Sequence, residues 1–217
     1  EIYNHFDIRE SLEKSSAASI SWKGHSDTET LITSFELIGI EETLSLIKGM
    51  FALAAWDKKS NLLTLARDRT GEKPLFYGFV DNSLVFGSEL KSIRKFPDFN
   101  NDISKDALVS FFKYNYIRAP ASIYENIYKL SPGHLIQFNI EKGFAKSEKS
   151  KPYWSYSKVL QAAQSNQFTS TQVAHQLLEQ SLESSIKSQA IADVPLGAFL
   201  SGGIDSSLVV ALMQKNY

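Results

Sequence analysis

The stretch SGGIDSS, residues 201–207, has the composition of a loop that binds phosphate. Gly202 and Gly203 lack a Cβ, so their backbone can approach an oxyanion closely and direct successive N–H groups at it. Ser201 and Ser206 add hydroxyl donors, and Asp205 stands where a helix would begin and present its positive end. These residue types predict a cradle for the pyrophosphate part of ATP.

The elements on either side must position this loop. Asp193–Leu200 predicts a short buried strand before it, and Leu208–Met213 predicts the apolar part of a helix after it. The glycines are not followed by Gly-Lys-Ser/Thr, so the loop is not a Walker A motif. SGGIDSS resembles instead the PP-loop of the N-type ATP pyrophosphatases, which adenylate a carboxylate or carbonyl oxygen and release pyrophosphate. The alternative is a glycine-rich turn that only caps a helix.

The composition is typical of a globular protein that acts on small molecules. Of its 217 residues 43% are hydrophobic and 22% are charged, and the formal net charge is −1. This balance provides no basic face for nucleic acid, and the longest apolar run, Met50–Trp56, is far short of the ~20 residues that span a bilayer. The absence of cysteine excludes disulfides, thiolate metal sites and a cysteine nucleophile within these residues. The four histidines lack metal-binding spacing, so no metal site is predicted.

Hydrophobic periodicity divides the chain into a first domain at 1–150, a linker at 151–170 and the start of a second domain at 171–217. The first domain alternates helices with antiparallel hairpins, whereas the stretch before residue 171 loses its periodicity and is rich in Ser, Lys and Gln. A long amphipathic helix opens the second domain. Helices are also predicted at 4–14, between Ser26 and Gly39, at 88–95 and at 105–114, and strands at 50–56, 62–66, 75–80, 84–86 and 135–140.

Further segments extend a resemblance over nearly the whole chain. Besides SGGIDSS, they are EIYN at 1–4, HSDTE at 25–29, RDRTGEKPLFYG at 67–78, FGSELK at 86–91 and LSPGH at 130–134. Together, and in this order, they resemble the glutamine-hydrolysing asparagine synthetases.

The resemblance implies a two-site enzyme. The first domain would be a class II glutamine amidotransferase with an α+β N-terminal-nucleophile hydrolase fold, a sandwich of two antiparallel sheets between helices. The second would be the start of an α/β PP-loop ATP pyrophosphatase domain. ATP would convert aspartate to β-aspartyl-AMP, and ammonia from glutamine would attack this intermediate to give asparagine.

The implied small-molecule partners are L-glutamine, L-aspartate and ATP, with Mg²⁺ accompanying the nucleotide. The resemblance allows a homodimer, and neither nucleic acid nor a membrane is an expected partner. The ATP requirement and the lack of a visible signal segment predict a cytoplasmic location.

Two residues of the first domain match the family's glutamine site. Glu1 matches the glutamate of an Asn-Gly-Glu motif that lines the glutamine pocket, and Asp27 matches the aspartate of an S-D-x-E motif. A carboxylate at Asp27 suits the α-ammonium of glutamine, although first-turn stabilisation of its helix is an alternative role that can coexist. The residues that match the family's ATP motif are Leu200, Ser201, Gly202, Gly203, Asp205 and Ser206.

The chain departs from the family at its first residue. The family's glutaminase begins with a cysteine whose α-amino group activates its own thiol, and residue 1 here is Glu. No catalytic residue is therefore assigned, and the N-terminal cysteine is expected upstream of a fragment that is cut at both ends. Arg67, Asp68, Arg69 and Lys73 form a charged cluster, interpreted as an ion-paired turn, with an interdomain or tunnel role as the alternative.

Other functions remain open from the sequence. A β-lactam synthetase-like enzyme would adenylate a different carboxylate without hydrolysing glutamine, and a surface-polysaccharide amidotransferase would use a different acceptor. A non-catalytic protein that keeps the amidotransferase fold for binding or storage belongs to another class. The intact SGGIDSS motif argues against it, because those glycines and hydroxyls serve a phosphate and contribute little to a core.

Overall fold

The computed structural model of the chain describes residues 1–16, 19–139, 149–165, 167–168, 170–192 and 194–216. They form two compact units, of which the first comprises Glu1–Ile2 and Asp27–Ser155 and the second comprises Tyr3–Ser26 and Tyr156–Tyr217. The helices are α1 (His5–Ser15), α2 (Asp27–Ile38), α3 (Ile40–Leu46), α4 (Leu90–Ile93), α5 (Lys105–Tyr114), α6 (Tyr156–Gln164), α7 (Thr171–Gln189) and α8 (Ile204–Asn216). The strands are β1 (Ala52–Asp57), β2 (Leu62–Arg67), β3 (Phe76–Val80), β4 (Ser83–Gly87), β5 (Ile127–Lys129), β6 (His134–Asn139) and β7 (Lys151–Pro152).

The first unit contains two antiparallel sheets. One has the strand order β1-β2-β6-β7 and the other has the order β4-β3-β5. The predicted hairpins are present, with Ala54 opposite Leu65 in β1-β2 and Gly78 opposite Val85 in β3-β4. Both hairpin turns use a residue with positive φ, Asn61 in one and Asp81 in the other, because these short polar side chains tolerate the left-handed region.

The two sheets share one hydrophobic core. Its buried members come from β2, β3, β6 and the segments that join them: Leu65, Leu75, Phe79, Leu130, Ile136 and Phe138. The rings of Phe79 and Phe138 meet edge to face, with centroids 6.2 Å apart. On the opposite face of the three-stranded sheet, Val80 and Val85 pack with Ile93 of α4. The predicted α+β sandwich of two antiparallel sheets with helices is therefore confirmed.

Most helix predictions in the first unit agree with the structure. Helix α5 spans the ten residues predicted for it, and the side chain of Ser104 caps it by accepting the N–H of Ala107. Helix α2 ends before Gly39, whose φ of 84° is accessible without strain only to glycine. The helix predicted at 88–95 is shorter than expected, since α4 has four residues.

The strand predicted at Asp193–Leu200 is wrong for the residues that the structure describes there. Residues 194–200 form no strand and are exposed, and Asp193 lies outside the described residues. A buried strand must exchange backbone hydrogen bonds with neighbouring strands, and the described part of the second unit contains no strand that could pair with it.

The predicted linker also contains regular structure. β7 pairs with β6, with His134 opposite Pro152, and α6 begins at Tyr156. The sequence patterns place α6 in the linker because the helix has only nine residues and the stretches on either side of it are rich in Ser, Lys and Gln. Residues 140–148, which include the end of the strand predicted at 135–140, lie outside the described residues. The domain boundaries at 150 and 170 stay predictions.

Candidate functional site

The backbone of Glu1 and Ile2 lies against the segment that leads into β1. The nitrogen of Glu1 donates to the carbonyl of Met50 at 2.8 Å, and the N–H of Met50 donates back to the carbonyl of Glu1 at 3.1 Å. Ile2 is paired with Gly49 in an isolated antiparallel bridge, and the side chain of Ile2 is buried. The first two residues are therefore fixed by both backbone pairing and burial.

Asp27 stands beside this segment at the first position of α2. Its Oδ2 accepts the backbone N–H of Ile2 at 2.9 Å and lies 3.9 Å from the nitrogen of Glu1. The Asp27 side chain keeps 30% of its surface exposed and that of Glu1 keeps 47%. The structure thus places the two predicted glutamine-site residues side by side and accessible, and their role in binding glutamine stays a prediction.

Asp27 sits where helix physics favours a carboxylate. Together with Glu29 it puts negative charge in the first turn of α2, next to the positive end of the helix. Its hydrogen bond to Ile2 adds a second structural role, because it ties the start of the helix to the Glu1–Ile2 segment. The carboxylate therefore fixes the segment through Oδ2, while its Oδ1 accepts the hydroxyl of the neighbouring Thr28 at 3.4 Å.

The loop after β2 is held by a buried arginine. The Arg67 guanidinium donates to three backbone carbonyls, those of Lys73 at 2.7 Å, Leu130 at 2.8 Å and Gly71 at 2.6 Å. Burial lowers the pKa of Arg67, while the charge of the adjacent Asp68 acts in the opposite direction. Arg67 consequently fastens the loop to the segment that joins β5 to β6.

Asp68 is buried in the middle of the same loop. Its carboxylate accepts the backbone N–H groups of Gly71 at 2.6 Å, Glu72 at 2.9 Å, Lys73 at 2.9 Å and Phe51 at 3.3 Å. The interpretation of this cluster as an ion-paired turn is not supported, because Arg67 and Asp68 use their charges on backbone groups. Within the described residues no salt bridge joins members of the cluster.

Tyr153, which the sequence patterns do not indicate, makes a further contact with this loop. The hydroxyl of Tyr153 donates to the carbonyl of Arg67 at 2.8 Å, across 86 positions of sequence. Burial raises the pKa of Tyr153, and the nearby negative charge of Asp68 raises it further. Nothing local in the sequence indicates this contact, since its partner is a backbone oxygen distant along the chain.

The SGGIDSS loop leads directly into α8. Gly202 has a φ of 81°, and a Cβ added there would meet no atom within 4 Å, so the backbone angle is what requires glycine. The hydroxyls of Ser201 and Ser206 lie 2.9 Å apart, and the hydroxyl of Ser206 also donates to the carbonyl of Gly203 at 3.1 Å. Asp205 is in the first turn of α8. Hydroxyls, glycine backbone and a helix start therefore meet at one exposed point, as an anion cradle requires.

Apolar residues flank the cradle. Leu200 precedes it and is 62% exposed. A neighbouring pocket of about 500 Å³ lies between residues 190–198 and α8, and its apolar lining includes Val194, Leu196, Val210 and Met213. The described lining of this pocket does not include Leu200, and the predicted contact of Leu200 with the nucleoside stays a prediction.

Helix α8, which carries the cradle at its start, is tied to α7 near its end. Lys215 forms salt bridges with Glu179 at 2.9 Å and Glu183 at 2.6 Å. The two carboxylates raise the pKa of Lys215, chiefly through hydrogen bonds, and Lys215 in turn lowers the pKa of Glu183. All three side chains reach solvent, so salt screens this link and its contribution to stability is small.

The described residues contain neither an acidic or histidine-rich metal site nor a membrane-spanning helix. Across the ranges described above, no group of three or more His, Cys, Asp or Glu side chains could hold a metal ion. None of the helices in those ranges is both long and apolar enough to cross a membrane.

Two family models match the chain. One is described as a glutamine amidotransferase domain and matches residues 1–154, and the other is described as asparagine synthase and matches residues 177–217. The first match contains Glu1 and Asp27, and the second contains the SGGIDSS loop.

Similar proteins align along the whole chain. Asparagine synthetase (glutamine-hydrolyzing) 3 of Bacillus subtilis (strain 168) is 34% identical over 218 residues, which cover 100% of this chain and 33% of the relative. A putative asparagine synthetase (glutamine-hydrolyzing) 2 of Methanocaldococcus jannaschii is 31% identical over 220 residues, covering 99% of this chain and 39% of the relative. The chain therefore spans less than half the length of these relatives.

A solved structure described as the allosteric regulatory enzyme of purine biosynthesis is 22% identical, with a TM-score of 0.45, over 70% of this chain and 27% of that one.

Proposed function

The chain belongs to the glutamine amidotransferase family, and we propose that the protein is a glutamine-hydrolysing asparagine synthetase that amidates aspartate at the expense of ATP. The observation that carries the proposal is that one chain matches both kinds of domain that this chemistry requires. A glutamine amidotransferase match at 1–154 precedes an asparagine synthase match at 177–217, which includes the SGGIDSS loop. The matches support a division into an amidotransferase domain at 1–150, a linker at 151–170 and an ATP-binding domain that starts at 171.

In the first domain, Asp27 and Glu1 would recognise glutamine. The carboxylate of Asp27 would accept hydrogen bonds from the α-ammonium of the substrate, and this charge-assisted contact would favour a free amino acid over a simple amide. Glu1 would line the pocket next to it, in the position fixed by its backbone pairing with Met50. The nucleophile would be an N-terminal cysteine outside these 217 residues, since they contain no cysteine.

In the second domain, the SGGIDSS loop would hold the β and γ phosphates of ATP. A carboxylate oxygen of aspartate would attack the α phosphorus, pyrophosphate would leave, and the aspartyl group would be joined to AMP. Ammonia would then attack the acyl carbon of this intermediate, with AMP as leaving group and loss of one proton, to give asparagine. Gly202, Ser201 and Ser206 would stabilise the departing pyrophosphate through backbone and hydroxyl donors.

The oxygen donors at this loop are of the kind that Mg²⁺ prefers. They are the Asp205 carboxylate and the hydroxyls of Ser201 and Ser206. Because the described residues contain no acidic cluster at the loop, the phosphates and water would provide most of the ligands. Bound Mg²⁺ would supply charge neutralisation of the phosphates.

We further propose a cytoplasmic enzyme, with a homodimer as its assembly.

The test uses the full-length protein with its native N-terminus. Glutamate release from glutamine and pyrophosphate release from ATP are measured with and without aspartate, and the amidated product is identified by mass spectrometry. We expect both activities, with pyrophosphate release dependent on aspartate and asparagine as the product. Pyrophosphate release with another carboxylate alone would indicate a different acceptor, and the absence of both activities would overturn the proposal in favour of a binding protein.

A further inference from the structure

The Glu1–Ile2 segment packs directly against the backbone of Gly49. A Cβ added at Gly49 would lie 2.2 Å from the carbonyl oxygen of Glu1 and 2.9 Å from the Cα of Ile2. Distances below about 3 Å are shorter than any van der Waals contact of carbon, so no side chain fits at this position. Both atoms belong to backbone and cannot rotate away. The close approach of the two segments therefore requires glycine.

The close approach at Gly49 also affects the positions of Glu1 and Asp27. Glu1 exchanges backbone hydrogen bonds with Met50, the neighbour of Gly49, in both directions. Ile2 in turn donates its N–H to Oδ2 of Asp27 at 2.9 Å. A shift of the Glu1–Ile2 backbone away from Gly49 would thus move Glu1 directly and would pull on the carboxylate of Asp27.

We propose that Gly49 is a positioning residue of the glutamine pocket. Its missing side chain sets the distance between the Glu1–Ile2 segment and the start of β1, and through it the positions of Glu1 and Asp27. Gly49 need not touch glutamine to have this effect. The inference rests on the proposed function, because it assumes that Glu1 and Asp27 bind glutamine.

Gly78 provides a matched control in the same unit. A Cβ at Gly78 would lie 2.1 Å from the carbonyl oxygen of Asn126 and 2.8 Å from the Cα of Ile127, an equally severe overlap with backbone. Gly78 lies in β3, within the three-stranded sheet, and pairs with Ile127 of β5. Gly49→Ala and Gly78→Ala therefore create similar steric overlaps with backbone atoms. Only the overlap at Gly49 would displace the Glu1–Ile2 segment.

The experiment compares these two variants in the full-length enzyme, with either glutamine or ammonia as the nitrogen donor. We expect Gly49→Ala to raise the KM for glutamine about tenfold or more, because small displacements of binding groups are costly, and to leave the ammonia-dependent reaction unchanged. Gly78→Ala should leave the KM for glutamine within about twofold of the wild-type value. An unchanged KM in Gly49→Ala, or the same increase in both variants, would overturn the inference.

A second variant covers the case in which Gly49→Ala does not fold. Ile2→Ala introduces no overlap but removes the buried side chain that anchors the same segment. We expect it to raise the KM for glutamine by about threefold or more and to spare the ammonia-dependent reaction. An unchanged KM would again overturn the inference. Absence of glutamine hydrolysis in the wild-type enzyme would instead overturn the proposed function, and the inference with it.

Discussion

A single buried carboxylate joins three parts of the first unit. Asp68 receives the N–H groups of the loop Gly71–Lys73 and of Phe51 at the entry to β1. Its backbone carbonyl accepts the N–H of Gly133, which precedes β6. A negative charge can be buried here because several backbone donors replace the water that it loses. At this position the charge serves the architecture of the sheets.

Replacing this carboxylate by an amide should therefore be costly. In Asp68→Asn the NH₂ group would face backbone N–H groups, which leaves donors without an acceptor. We expect a loss of about 3 kcal/mol in the free energy of unfolding, measured by urea denaturation followed by tryptophan fluorescence. The control is Asp57→Asn, an exposed aspartate at the end of β1 that accepts from Lys59 and Ser60, and its loss of stability should be clearly smaller. Equal losses in the two variants would contradict the role assigned to Asp68.

Tyr153 makes the stability of the protein sensitive to alkaline pH. Its pKa is raised in the folded state, so the unfolded chain releases the hydroxyl proton more readily. The stabilisation by the neutral hydroxyl is complete below about pH 10, the ordinary pKa of tyrosine, and is lost as the pH rises through the higher folded value. We expect the melting temperature to fall more between about pH 9 and about pH 11 in the wild type than in Tyr153→Phe.

The control for this pH dependence is Tyr156→Phe. Tyr156 is 68% exposed. This variant should lose as much stability over the same pH interval as the wild type, because removing an exposed hydroxyl leaves the contribution of Tyr153 intact. Identical pH profiles for the wild type and Tyr153→Phe would show that the buried hydroxyl does not set the alkaline limit.

The helices and strands that depend only on residues close together in the sequence could be predicted from it. The hairpins follow from apolar runs separated by turn residues such as Asn61 and Asp81, and α5 follows from its cap and its periodicity. The segment at 194–200 has equally apolar residues but lacks paired strands, which a local pattern cannot reveal. Motifs predict a glutamine site at Glu1 and Asp27, whereas the hydrogen bond between Ile2 and Asp27 is visible only in the structure.

Substitution of Gly202 in the SGGIDSS loop should weaken ATP binding. Gly202→Ala places a side chain at a φ of 81°, which costs about 1 kcal/mol and distorts the cradle. We expect the Kd for ATP, measured by calorimetry on the full-length protein, to rise about tenfold. Gly39→Ala is the matched control, since Gly39 has a φ of 84° and equally open space but lies in the first unit. The same rise in Kd for both variants would contradict a specific role of the loop.

Considered as a whole, the chain keeps its two proposed chemistries on different parts of the sequence. The predicted glutamine-site residues, Glu1 and Asp27, lie in the first unit, and the SGGIDSS loop lies in the second. In the proposed function, ammonia is the product of one reaction and the substrate of the other. Supplying ammonia from solution should therefore bypass the first site without any effect on the second.

This separation predicts opposite phenotypes for two substitutions in the full-length enzyme. Asp27→Asn should raise the KM for glutamine about tenfold and preserve ammonia-dependent asparagine formation, because the amide oxygen can still accept the N–H of Ile2 whereas the charge that would pair with the α-ammonium is lost. Ser206→Ala should lower kcat/KM for ATP about tenfold with either nitrogen donor and preserve glutamine hydrolysis. The control for Asp27→Asn is Asp106→Asn, in the first turn of α5. The control for Ser206→Ala is Ser184→Ala, on α7. Loss of the ammonia reaction in Asp27→Asn would contradict independent sites.

The contacts of Tyr153 and Trp154 also determine how the first unit would respond to mechanical load. The carbonyl of Gly133 accepts the N–H groups of both residues, at 2.9 Å and 3.1 Å, and the Tyr153 hydroxyl reaches the carbonyl of Arg67. Tension applied to the chain beyond Ser155 would first meet these three hydrogen bonds. They hold the chain just after β7, so a pulling force would have to break them before it could peel β7 from β6.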